Sequence, residues 1–227
     1  MSQTSTASKP GRTAAASAAS ARREVISKAE QSRRTRDLII ETGLKCLADY
    51  GYAQTTMLLI SKEAGISRGP LQYHFQDKND LMAAIAEALP GRVSDTVRAR
   101  LRKASTAEER LTTLLDIALE QRAGRHHFVA TELLIAARND PELAAAIGPH
   151  FQRGEAAIDV WWTDYLSVLD RPPSELLALR YVVVACLRGL ALDHVLQQNP
   201  EAHAEATQLF RKMILEFARP DGGPPVE

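Results

Sequence analysis

The sequence predicts an all-α protein, and three observations carry the prediction. Apolar residues recur at helical spacing through nearly the whole chain, no segment alternates apolar and polar at period two, and Gly and Pro fall between the periodic runs. Tyr181 to Leu187 could pass for a buried strand, but it lies inside a helix-length pattern and finds no partner strand elsewhere. With 227 residues the chain is long enough to bury a substantial core. No internal repeat is evident.

The elements follow in order. Ile39, Ile40, Gly43, Leu44, Cys46 and Leu47 mark one helix face from about Arg33, and Gly51 ends that helix. A short helix capped by Thr55 or Thr56 runs to Ala64, where Gly65 and Ile66 break it. Ser67 is placed to cap the next helix, whose first turn tolerates Pro70 because an amide there has no intrahelical partner. Asp77 and Asp80 open a helix that includes Leu81 to Leu89, and Pro90-Gly91 breaks or kinks the chain. Helices are then expected over Val93–Lys103, Ala107–Arg122, Arg125–Arg138, Pro141–Leu169, Ser174–Gln198 and Glu201–Ala218. Thr106 and Glu109 form a capping box at the second of these. Asp221 to Glu227 reads as a Pro/Gly-rich tail.

Composition narrows the function classes. The two cysteines, Cys46 and Cys186, lie far apart in apolar stretches, which provides no disulfide framework or CxxC site and suggests a reducing compartment. Leu176 to Leu192 is interrupted by Arg180 and Arg188, a poor bilayer span and a reasonable buried helix, so no membrane association is expected. The first residues lack the apolar core of a secretory signal. Their Ser- and Arg-rich, acid-poor composition shares features with an organellar transit peptide, a reading left open at this point beside the expected cytoplasmic location. There is no HExxH, GxSxG or Gly-rich phosphate loop, and the six histidines lack ligand spacing, so no catalytic residue, metal or cofactor is predicted.

Charge is neutral overall, 28 Lys and Arg against 28 Asp and Glu, yet unevenly placed. From Met1 to Arg36 eight basic residues face two acids, a local balance of +6 that the remainder cancels with −6. Such a leader is a solvated tail or an arm reaching toward phosphates. Low complexity predicts disorder over residues 1–30, and Arg33, Arg34 and Arg36 stand at the doorstep of the first helix, where a phosphate role gains weight.

The pair of short helices around Gly65 is the informative segment. Ile60, Ala64, Ile66 and Leu71 fit the apolar positions of a helix-turn-helix, Ser61 is the small residue where the next helix approaches, and Gly65 takes the turn position that calls for positive φ. The second helix of such a unit can lie in a DNA major groove. The same unit can also be a mere packing element of a helical ligand-binding or scaffold protein.

The residues from Ile39 to Tyr52, then Thr55-Thr56, Ile60, Ala64-Gly65-Ile66-Ser67, Gly69, Leu71, His74-Phe75, Lys78 and Leu81, closely resemble the TetR family of bacterial transcriptional regulators. The resemblance runs from about Arg33 to Leu89 and implies a helix-turn-helix DNA-binding domain over residues 31–90, an effector-binding and dimerisation domain over 91–218, and a flexible tail over 219–227. It implies a homodimer that binds double-stranded DNA at a palindromic operator and is released by a small-molecule effector. It also places Arg68, Gly69, Pro70, Gln72 and Tyr73 on the groove-facing part of the recognition helix, and Thr56, His74 and Lys78 at phosphates. Side-chain chemistry agrees: Arg68 can pair with guanine O6 and N7, Gln72 with adenine N6 and N7, and Lys78 suits a phosphate as a point charge. Against these stand milder readings in which His74 packs the end of its helix and Arg68 is solvated. Two departures from the family pattern are Gln72, where Tyr is usual, and Leu58-Leu59, where polar residues are usual and which could pack on the first helix or on the body.

For the effector pocket the residue types offer Trp161, Trp162 and Tyr165, clustered in one helix, with His127 and Arg188 as polar candidates. The alternative is one Trp in the core and the other facing a partner or solvent. Adjacent His126 and His127 point about 100° apart on a helix, which argues against a shared metal. In the last helix Leu209, Phe210, Met213, Ile214 and Phe217 form an apolar stripe, predicted as the dimer interface, with an intramolecular core as the alternative.

Overall fold

The computed structural model describes residues 12–89, 95–122, 125–195 and 199–217. Ten α-helices and one 3-10 turn follow in order: α1 (Arg12–Gln54), α2 (Met57–Glu63), α3 (Arg68–His74), α4 (Lys78–Ala88), α5 (Asp95–Lys103), α6 (Ala107–Arg122), α7 (Arg125–Ala137), α8 (Pro141–Tyr165), the turn Ser167–Leu169, α9 (Pro173–Val195) and α10 (Pro200–Phe217). No strand occurs among the described residues. Pro90-Gly91 and the tail after Phe217 lie outside them.

The chief difference from expectation is at the start. Residues 12–30, expected to be disordered, are helical and continuous with the rest of α1. Low complexity here means alanine, at positions 14–16, 18, 19 and 21. Alanine has the highest helix propensity, and extending a helix already nucleated by packing costs far less than starting one. Gly51 does interrupt the helix as expected, with φ 73° and ψ 173°.

Two apolar cores organise the chain. The first gathers Ile39, Leu44 and Leu47 of α1, Ile60 of α2, Leu71 of α3, Phe75 and Leu81, Met82 and Ile85 of α4. It continues without a break into Val129 and Leu133 of α7 and Leu143 and Ile147 of α8. Gly43 permits the close approach of α1 and α4, because a Cβ there would lie 2.8 Å from Ile85 Cδ1. The second core joins Leu111 and Leu115 of α6, Trp162 of α8, Leu176, Leu179, Val183 and Leu187 of α9, and Phe210 and Ile214 of α10. Arg180, 2% exposed, crosses between helices and meets Glu155 at 2.7 Å and Asp159 at 2.5 Å. The mid-helix cation that argued against a bilayer span is therefore a buried, paired one. Among the described residues no helix is long and apolar enough to cross a membrane.

The capping box at α6 is formed. The Glu109 carboxylate accepts from Ser105 N at 2.9 Å, Ser105 Oγ at 2.9 Å and Thr106 N at 3.1 Å, while Thr106 Oγ1 accepts from Glu109 N at 3.2 Å. These backbone donors hold the Glu109 carboxyl down at about 2. A carboxylate whose pKa is lower in the folded state stabilises fully above its unfolded value and loses that contribution as pH falls toward the folded one. Glu109→Gln should therefore lower the urea midpoint at neutral pH and flatten its fall between about pH 4.5 and 2, measured by circular dichroism.

Candidate nucleic-acid interface

The turn between α2 and α3 is specified residue by residue. Thr56, in extended backbone, caps α2 by accepting from Leu59 N at 3.1 Å. At the other end Gly65 takes φ 65°, its amide donates to Lys62 O at 3.1 Å, and Ile66 N donates to Ser61 O at 3.1 Å. That pair of bonds is a Schellman motif, which needs a residue without strain in the left-handed region at this position. Ser61 adds a bond that sequence reasoning missed: its buried hydroxyl donates to Ile66 O at 2.7 Å. Ser67 occupies the cap position of α3 but, contrary to expectation, makes no side-chain cap bond.

Helix α3 is held from behind and open in front. Leu71 and Phe75 are buried, and the Arg36 guanidinium lies 5.3 Å from the Phe75 ring centroid. Arg68, Gly69, Pro70, Gln72 and Tyr73 are all exposed, Tyr73 at 80%. His74 is half-buried and edge-on to Tyr73, ring centroids 5.0 Å apart. Arg33 and Arg34 are exposed on α1, with Arg34 in a solvated pair with Glu30 at 2.6 Å. Leu59 packs against the first core, whereas Leu58 is 78% exposed, so only one of the two serves packing. The two leucines lie about 100° apart round the helix, and Leu58 falls on the side away from the core.

Lys78, expected at a phosphate, is half-buried. Its ammonium donates to Tyr52 O at 2.7 Å and stands 3.6 Å from the Tyr52 ring centroid. Burial pushes its pKa down, opposed by the nearby Asp140 charge. Burial also raises the Tyr52 hydroxyl, as does its hydrogen bond to Asp140. Tyr52 N in turn donates to Glu132 Oε2 at 3.1 Å. Residues of α7 and of the α8 cap thus grip the end of α1 and the start of α4. No local sequence signal pointed to Glu132, which lies eighty positions from Tyr52.

A cavity of about 710 Å³ lies among α5, α6, α8, α9 and α10. Trp161, Trp162 and Tyr165 line it as expected, Trp161 and Tyr165 stacked with centroids 5.2 Å apart. Arg188 is not among its lining residues, and the His127 side chain lies outside the described residues. The sequence reading missed Arg98 and Arg102 of α5, together with the leucines of α6. Among the described residues no group of His, Cys, Asp and Glu is arranged to hold a metal.

The predicted stripe on α10 divides. Phe210 and Ile214 are buried in the second core, and Phe217 packs at its edge beneath Arg171. Leu209 and Met213 are exposed, in line with exposed Tyr181, Val182 and Leu192 on α9. Positions 210 and 214 lie a full 100° step round the helix from 209 and 213, so one stripe serves two faces.

A family model described as bacterial regulatory proteins of the tetR family matches residues 39–85, from α1 into α4. The HTH-type transcriptional regulator CymR of Pseudomonas putida is 27% identical over 84% of this chain and 92% of its own length. The HTH-type transcriptional repressor AcnR of Corynebacterium efficiens is 30% identical over 60% of each chain. Among solved structures, the fatty acid degradation regulator FadR of Bacillus halodurans superposes with a TM-score of 0.59 at 20% identity, over 79% of this chain and 94% of that one. The multidrug binding protein EbrR, complexed with ethidium, superposes at 0.54 with 22% identity, over 79% and 97%. Those two likenesses show the fold. The match over α1 to α4 and the likeness to HTH-type transcriptional regulators along most of the chain support a TetR-family transcriptional regulator.

Proposed function

We propose that the protein is a homodimeric, ligand-responsive repressor that reads a palindromic operator with α3 and leaves it when a small molecule enters the cavity. The observation that carries this reading is the outer face of α3, where Arg68, Gly69, Pro70, Gln72 and Tyr73 stand exposed over the buried anchors Leu71 and Phe75. Arg68 and Gln72 are one turn apart and have the donor patterns for guanine and adenine in a major groove. Arg33, Arg34, Thr56 and His74 supply phosphate contacts that set orientation. Lys78 acts as a positioning residue through Tyr52.

The division into a DNA-binding unit over residues 31–90 and an effector unit over 91–218 is functional; the first core belongs to both. Helix α8 connects them: Leu143 and Ile147 pack in the first core, while Trp161, Trp162 and Tyr165 wall the cavity. Pro149 lies between these halves, and its ring nitrogen cannot donate the helix bond. A ligand that favours one arrangement of α8 by about 1–3 kcal/mol changes DNA affinity roughly 5- to 150-fold. The exposed apolar residues Tyr181, Val182, Leu192, Leu209 and Met213 suit a two-fold four-helix interface, the surface a stripe-bearing helix pair needs to cover. AcnR, named a repressor, and EbrR, solved with ethidium, support the repressor and small-molecule parts of this reading.

The test is selection of bound duplexes from a random pool by the purified protein, followed by sedimentation of the complex. A palindrome bound by a dimer supports the proposal. Negligible, salt-insensitive binding overturns it in favour of a helical ligand-binding or scaffold protein. Lys78→Met should weaken all DNA sequences alike and lower the thermal midpoint, with the salt slope of binding unchanged. A phosphate contact would instead reduce that slope by about 0.9.

A further inference from the structure

The cavity's wall is selective in charge. Two of its three aromatic residues have their polar atoms engaged elsewhere: Trp162 Nε1 donates to Leu176 O at 2.9 Å, and the Tyr165 hydroxyl donates to Leu101 O at 2.9 Å. Leucines of α6, Val183, Leu187 and Ile214 complete an apolar interior. Among the described residues no acid lines the cavity, and the charged lining residues are Arg98 and Arg102.

These two arginines stand one helical turn apart on the same face of α5 as Leu101, and both are exposed, which puts them on the cavity's solvent side. Two cations at that spacing repel each other. The other arginines nearby are occupied. Arg100, on another face of α5, is bidentate to Glu120 at 2.5 and 3.1 Å, and Arg110 donates to Tyr165 O at 2.5 Å. No hydrogen bond or ion pair engages Arg98 or Arg102 among the described residues. An apolar chamber with a pair of unspent guanidinium forks at its solvent side complements an apolar body bearing one carboxylate, which accepts such forks bidentately. A lipophilic cation would meet two like charges and, among the described lining residues, no carboxylate.

We infer that the effector cavity takes a lipophilic monocarboxylate, its apolar body among the leucines and Trp161 and its carboxylate on Arg98 and Arg102. At roughly 30 Å³ for each water-sized group, the space holds on the order of twenty non-hydrogen atoms. The inference rests on the cavity's being the effector site proposed above, and adds the chemical class of what enters it.

The test uses the full chain and its own tryptophans, since Trp161 and Trp162 are the two in the sequence and both line the cavity. Decanoate and 4-hexylbenzoate, below their micellar concentrations, should change tryptophan emission saturably. Decanol should bind at least tenfold more weakly, and decyltrimethylammonium more weakly still. Arg98→Gln with Arg102→Gln should bring decanoate down to the level of decanol and leave decanol unchanged, which also controls for folding. Equal binding of decanol and both acids to the wild type, failure of both acids to bind, or an undiminished preference in the double variant would overturn the inference. DNA release is measured separately. Arginine-dependent acid binding without release supports the ligand class and removes the effector role, whereas release by the cation alone keeps the effector role and overturns the ligand class.

Discussion

Arg68→Ala combined with Gln72→Ala is expected to erase the preference for the selected operator over a scrambled duplex. Each well-placed bidentate contact contributes about 1–3 kcal/mol of discrimination. Within one half-site the pair accounts for about 2–6 kcal/mol, roughly 30-fold to 10⁴-fold in relative affinity at about 1.4 kcal/mol per tenfold, and a dimer on a palindrome carries two such pairs. Both side chains are exposed and away from the first core, so the variant should keep its unfolding midpoint. Affinity for the scrambled duplex should change little apart from one lost cation per protomer. Competition titrations at one fixed salt concentration, with sedimentation to confirm that the oligomer is intact, provide the check. A variant that kept its preference would transfer sequence reading to other residues, with exposed Tyr73 first among them.

Phe75→Ala is expected to have the largest effect on stability. Phe75 is 1% exposed and closes α3 from behind, where it packs with the first core and beneath Arg36. Removing a buried Phe side chain costs about 3–5 kcal/mol from lost transfer and the cavity left behind. The Arg36 contact adds about 0.5–1 kcal/mol at a partly exposed site. Against a total stability of about 5–15 kcal/mol this is a large share. Urea unfolding should show a midpoint lowered by more than 1 M, taking a slope of about 1–3 kcal/mol/M. Phe75→Leu should recover most of the loss, because it restores much of the volume. If Phe75→Ala unfolds no earlier than the wild type, α3 is not anchored through this ring.

The two variants separate what α3 presents from what holds it. Arg68 and Gln72 face outward and touch little, so their loss is felt by a ligand; Phe75 faces inward, so its loss is felt by the fold. Lys78 and Glu109 show the same division in charged groups. The Glu109 carboxylate meets only the start of its own helix, whereas Lys78 ties two helices together through Tyr52.

How much was legible in the sequence follows from the range of each interaction. The helices, the Gly65 turn, the Thr106–Glu109 box and the membership of Ile60, Leu71 and Leu81 in one core are set by contacts within a few residues or by one periodic face, and a linear pattern records these. Even there, alanine-rich low complexity read as disorder turned out helical over residues 12–30, because propensity and continuation from a packed helix outweigh simplicity of composition. What required the tertiary structure was every choice between faces and every partner far along the chain. Only packing decides that Phe210 and Ile214 turn inward while Leu209 and Met213 stay out, that Lys78 bends to Tyr52 and Asp140, and that Arg98 and Arg102, not Arg188, border the cavity with Trp161. Helical periodicity specifies which residues share a side but not what that side will meet, and it is the meeting of α5 and α6 with α8 and α9 that shapes the cavity.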